Sequence, residues 1–128
     1  MALRGPLTER QVRPWSAVLS APTSAGEVYF KATAPALAHE PGLTEALASQ
    51  WPALLPTVLA ADRARGWLLL ADAGITLRSL IQTAADLWHW EHILPRYAEL
   101  QIALAGQQDE LLALGALDRR LAGLPAQI

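Results

Sequence analysis

The sequence has no cysteine and a single lysine among its 128 residues. Without thiols there can be no disulfide and no thiolate metal site. Charge is also scarce. Charged residues make up 17% and apolar residues 52% of the chain, against a usual ~25% and ~45–50%. That balance predicts an apolar face left for another copy of the chain or a separate lobe to cover. Acidic and basic residues are interspersed and the net charge is −2. No basic stripe supports a nucleic-acid partner. The N-terminal stretch carries Arg4, Glu9, Arg10 and Arg13 but no apolar signal-peptide core. The longest apolar runs, such as Trp67 to Ala71, fall far short of the ~20 residues of a membrane span. A cytoplasmic location with no membrane partner is the expectation.

What the chain does contain divides into strands first and helices later. Trp15 to Leu19 reads as a strand, Pro22 to Gly26 as a turn, and Glu27 to Lys31 as a second strand. Together they predict a hairpin. In the second strand Val28 and Phe30 face one way, Tyr29 and Lys31 the other. A strand ahead of this hairpin is expected to be short or missing. Pro41 marks a helix start, with Glu40 at or beside its N-cap. Leu43 and Leu47 give that helix an apolar edge, Gly42 weakens its first turn, and Trp51-Pro52 closes it. A second hairpin pairs Thr57–Ala60 with Trp67–Leu70 around a polar turn at Asp62 to Gly66, and Asp72-Ala73-Gly74 ends its second strand.

From there on the pattern is helical. Leu77, Leu80 and Ile81 make a short helix, and Ala84 to His92 another. Pro95 predicts a kink or restart, after which Tyr97, Leu100 and Leu104 recur at helical spacing. Leu111, Leu112 and Leu114 start a last helix before Gly115. Asp118 is placed as the cap of one more turn through Leu121, with Gly123 and Pro125 beyond. Strands followed by helices argue for an α+β fold, with a boundary between residues 73 and 74.

The ordered set of Trp15–Leu19, Val28–Lys31, Glu40 with Leu43 and Leu47, and Trp67–Asp72 resembles the small lobe of the aminoglycoside phosphotransferase family. Tyr97–Gln101 resembles the first long helix of that family's large lobe. The resemblance covers most of the chain and implies a protein-kinase-like small lobe over residues 1–73. Residues 74–128 would then be the helical start of an incomplete large lobe. It also implies ATP as ligand. Lys31 would hold the α- and β-phosphates and a helix carboxylate would fix that lysine. Glu40, nine residues on, stands where the family's glutamate stands, and Glu45 competes for the role. Lysine suits this task as a compact point charge, whereas arginine suits bidentate pairing. Arg13-Pro14-Trp15-Ser16 would cover the phosphates. It lacks the glycines of a kinase loop, and Ser16 is either a phosphate donor or an ordinary strand-start serine. Leu70 and Asp72 would form the hinge against adenine, read through backbone groups.

Phosphoryl transfer also needs an aspartate to orient the attacking hydroxyl, and carboxylates to hold magnesium. The family draws these from an H-G-D-type loop with a following asparagine and from a later aspartate. No such motif occurs in the sequence. Asp72-Ala73-Gly74 matches D-x-G, but it directly follows the last small-lobe strand and reads as hinge and turn. His89 and His92, with Glu91 between them, lack the spacing of a zinc motif. The expectation is therefore the nucleotide-binding part of a small-molecule kinase, inactive alone, with Mg2+ used by the family but its ligands absent here. The competing expectation is a non-catalytic interaction module, and a split kinase completed by a separate catalytic lobe would join the two.

Overall fold

The fold is described from a computed structural model covering residues 1–120. Leu121, Gly123 and Pro125, and with them the last expected helical turn, lie outside the described residues.

Five strands form one antiparallel sheet: β1 (Thr8–Arg13), β2 (Ser16–Thr23), β3 (Gly26–Thr33), β4 (Val58–Asp62) and β5 (Trp67–Ala71). Their order across the sheet is β1-β2-β3-β5-β4, so β3 is central. Helix α1 (Glu40–Gln50) is inserted between β3 and β4 and packs beside β4. The helices α2 (Leu77–Leu80), α3 (Trp88–Leu104) and α4 (Gln108–Ala113) follow the sheet. The architecture is α+β. No described helix is long and apolar enough to cross a membrane.

Several boundaries differ from the sequence expectation. The first strand is neither short nor missing, since β1 pairs with β2 from Thr8 to Arg13. The first hairpin turn is not a five-residue loop. Pro22 and Thr23 belong to β2, and only Ser24 and Ala25 separate it from β3. The Pro22 carbonyl accepts from the Arg4 N–H at 2.9 Å, and the proline lies past the Thr8–Ser20 end of the β1 register. Thr23 closes the turn by donating from Oγ1 to the Gly26 carbonyl at 2.6 Å and accepting from the Ala25 N–H at 3.1 Å. Gly26 takes φ +106°, a conformation that favours glycine. Trp15 is exposed in the two-residue turn with Pro14 rather than in a strand.

In the second hairpin β4 starts one residue later and ends two residues later than expected. Asp62 stays in the strand and accepts from the Arg65 N–H at 3.0 Å and the Arg65 guanidinium at 2.7 Å. Strand β5 ends at Ala71, three residues before Gly74. Trp51 caps α1 as expected. The stretch from Ala84 is a 3-10 turn (Ala84–Leu87) leading into α3, and α3 continues through Pro95 as one helix, without the restart offered as one alternative. The missing bond to the Glu91 carbonyl lies mid-helix among exposed residues, where water can satisfy it.

One sheet face is apolar. Ala21 and Val28 are buried on it, and Phe30 meets Trp67 edge-on at 5.7 Å between ring centroids. Beside Leu19, Val28, Phe30 and Leu69 lies an open pocket of about 170 Å³, flanked by Met1, Leu3 and Leu7.

Candidate functional site

The other way across the sheet, directly opposed residues share a face. Lys31 is opposite Val18 on β2, and Tyr29 is opposite Ser20. On β5 Leu68 stands opposite Lys31 and Leu70 opposite Tyr29. Ser16, Val18, Ser20, Tyr29, Lys31 and Leu70 therefore mark the rows of one face, as the period of two requires.

Lys31 is held at the helix-side end of this face. Its Nζ donates to Oε1 of Glu40, the first residue of α1. The two side chains are 29% and 30% exposed, so water screens the pair only in part. A carboxylate at that helix end also meets the positive end of the helix dipole. The competing candidate, Glu45, pairs elsewhere, accepting from the Arg63 guanidinium at 2.6 Å. The Arg63 side chain passes over Gly42, where an added Cβ would lie 3.4 Å from its Cδ and Nε, an ordinary contact.

The approach of β3 to α1 is fixed at the strand end. The Thr33 N–H and Oγ1 both donate to the Gly66 carbonyl, at 2.9 and 3.0 Å, and the Ala34 N–H donates to the Trp15 carbonyl at 2.9 Å. Gly66 adopts φ +70°, and a Cβ there would lie 2.6 Å from Thr33 Oγ1. The β4–β5 turn is thereby locked against the end of the lysine strand.

Ser16 is buried in β2, opposite Thr33 and two residues from Val18. It shares the face of Lys31, but as part of a paired strand rather than of an open loop. Leu70 is half-buried on this face, opposite Tyr29. Asp72 lies just beyond β5. Its N–H donates to the Glu27 carbonyl at 3.2 Å, and its carboxylate accepts from the Gly74 N–H at 3.0 Å. The D-x-G segment is a turn, with Gly74 at φ +87°.

A second polar cluster sits on the same face at the opposite end of β3. Arg10 Nε donates to Ser20 Oγ at 2.7 Å and Arg10 Nη2 to Glu27 Oε1 at 2.6 Å. Glu27 holds the Arg10 guanidinium charged, raising its pKa, and Ser20 with Arg10 pulls the Glu27 carboxyl below its ordinary range. Nothing in the sequence pointed to this cluster, because it depends on β1 lying beside β2 and on which way Arg10 turns at the irregularity between Glu9 and Gln11.

His89 stacks on Trp88 at 3.8 Å, while His92 meets the same ring edge-on and approaches the Trp88 carbonyl through Nδ1 at 3.1 Å. Among the described residues no three His, Cys, Asp or Glu side chains converge as metal ligands would. Comparison with family models, with curated proteins and with solved structures found no match to this chain.

Proposed function

We propose that this chain is the nucleotide-binding lobe of an ATP-dependent small-molecule phosphotransferase with a kinase-like small lobe. The observation that carries the reading is the ion pair between Lys31 on the central strand and Glu40 on the inserted helix. Such a pair fixes one ammonium at the end of a sheet face, which is what positioning of a diphosphate requires. That Lys31 is the only lysine of the chain, and is held by a carboxylate rather than left free, supports the same reading. The sheet order with a helix between β3 and β4 is compatible with it.

In this reading Lys31 binds and orients the phosphates and Glu40 keeps the lysine from folding back to solvent. No transfer step is assigned to these residues, and the chain alone is expected to bind without turning over. The test is the rise in melting temperature on adding ATP. Wild type should gain stability by mass action, Lys31→Met should lose most of the gain, and Glu40→Gln should show a reduced one. Equal shifts in all three proteins would remove Lys31 from the site.

A further inference from the structure

We propose that Arg10 is the base-stacking platform of this same face, so that the ligand is a nucleotide lying along β3 with its phosphates at Lys31 and its base on the Arg10 guanidinium. The proposal rests on the nucleotide reading above and adds the group that would recognise the base.

Four observations carry it. Arg10 is on the face of Lys31. Its bond to Ser20 Oγ fixes this, because Ser20 is opposite Tyr29 and two residues from Val18, the cross-strand neighbour of Lys31. Next, the guanidinium is fixed in plane. Nε and Nη2 are both engaged, by Ser20 and Glu27, and two anchored nitrogens of a rigid planar group define its orientation. Ser20 is itself 1% exposed, so one anchor is part of the packed sheet, while the Arg10 side chain is 46% exposed and offers a surface to a ligand. Third, the spacing suits an extended nucleotide. Glu27 and Lys31 are four residues apart along β3, about 13 Å at the usual strand rise. Tyr29 and Leu70 lie between them on the same face.

Finally, the first backbone donors of the hinge are already in use. The Ala71 N–H donates to the Thr57 carbonyl at 2.9 Å and the Asp72 N–H to the Glu27 carbonyl at 3.2 Å. A base at this end of the sheet therefore cannot be read by these two groups without breaking sheet bonds. Stacking on a guanidinium plane needs no free donor. Glu27 thus acts twice, closing the hinge through its backbone and orienting Arg10 through its side chain.

The experiment compares binding of ATP and of inorganic tripolyphosphate to wild type, Arg10→Met, Arg10→Lys and Lys31→Met by calorimetry. The proposal expects both Arg10 variants to bind ATP about tenfold or more weakly, in keeping with the usual worth of a stacked base, and tripolyphosphate as wild type does. Lys31→Met should weaken both ligands. Unchanged tripolyphosphate binding also serves as the check that the Arg10 variants are folded. ATP binding that survives in Arg10→Met overturns the proposal and leaves the nucleotide reading intact. So does wild-type ATP binding by Arg10→Lys, which would make Arg10 a simple charge. Equal losses for both ligands in the Arg10 variants overturn it as well. If wild type binds neither ligand, the nucleotide reading fails and this inference with it.

Discussion

Lys31 was conspicuous in the sequence because lysine is so rare there, while its partner was visible only as a choice between Glu40 and Glu45. The choice is made by geometry. Glu40 opens α1 beside the end of β3, and Arg63 occupies Glu45 across Gly42. Other carboxylates have local tasks that the sequence showed less clearly. Asp86 accepts from the N–H groups of Gln82 and Thr83, at 3.1 and 2.9 Å, and from the Thr83 hydroxyl at 3.0 Å. The Thr83 backbone and hydroxyl, with the Gln82 N–H, hold its carboxyl below the ordinary aspartate range. A group whose folded pKa is lowered contributes stability that is complete above its unfolded value and is lost as pH falls through the folded one. Asp86→Asn should therefore melt below wild type at neutral pH, with the gap closing on acidification through and below the ordinary aspartate range. Melting curves of the two proteins across acid pH would check this, and a gap independent of pH would show that Asp86 acts by shape rather than charge.

At the scale of elements, alternation and turn chemistry revealed β3, β5 and α1 to within a few residues. Tyr29 and Lys31 do share a face, and Trp51-Pro52 does close the helix. Strand β1 was hidden because its six residues, Thr8 to Arg13, are all exposed. A strand exposed on both faces carries no periodic apolar signal. Pro95 misled in the opposite direction. Proline inside a helix costs about 3 kcal/mol relative to alanine, and local propensity therefore argued for a break. The flanking turns still form, from the 3-10 entry held by Asp86 through to Leu104. The cost should then still be present in the folded chain. Pro95→Ala is expected to raise the unfolding free energy by about 1–3 kcal/mol, readable in urea titration as a higher midpoint at unchanged slope. A neutral or lower midpoint would mean that the helix is strained to suit proline at that position. The candidate site was legible in part for the same physical reason: Lys31 and Glu40 are joined by a short connection, whereas Arg10, Ser20 and Glu27 meet only through the register of three strands.

The whole molecule exposes 9108 Å², whereas a compact monomer of its 13.8 kDa mass would expose about 6,600 Å². The excess, about 2,500 Å², is several times the roughly 800 Å² that each partner contributes to a standard protein interface. Among the described residues, α3 carries several of the exposed large apolar side chains. Trp90, Ile93, Leu94 and Tyr97 recur at helical spacing and are all exposed, and Ile102 is 75% exposed, while Leu100 alone of that helix is buried. Leu100, Ile93 and Tyr97 border a cleft of about 350 Å³ against Ala53 and Leu54. Apolar surface of this extent on a chain with 17% charged residues favours association over solvation. The isolated chain should therefore self-associate, with a sedimentation coefficient that rises with protein concentration. Ile102→Glu and Tyr97→Glu should shift that rise to higher concentration. Both side chains are more than half exposed, so the substitutions should leave the melting temperature of dilute protein nearly unchanged. A constant monomer mass in wild type at every concentration would show that the α3 face is tolerated in water, and would remove self-association from the account of why the composition is so apolar.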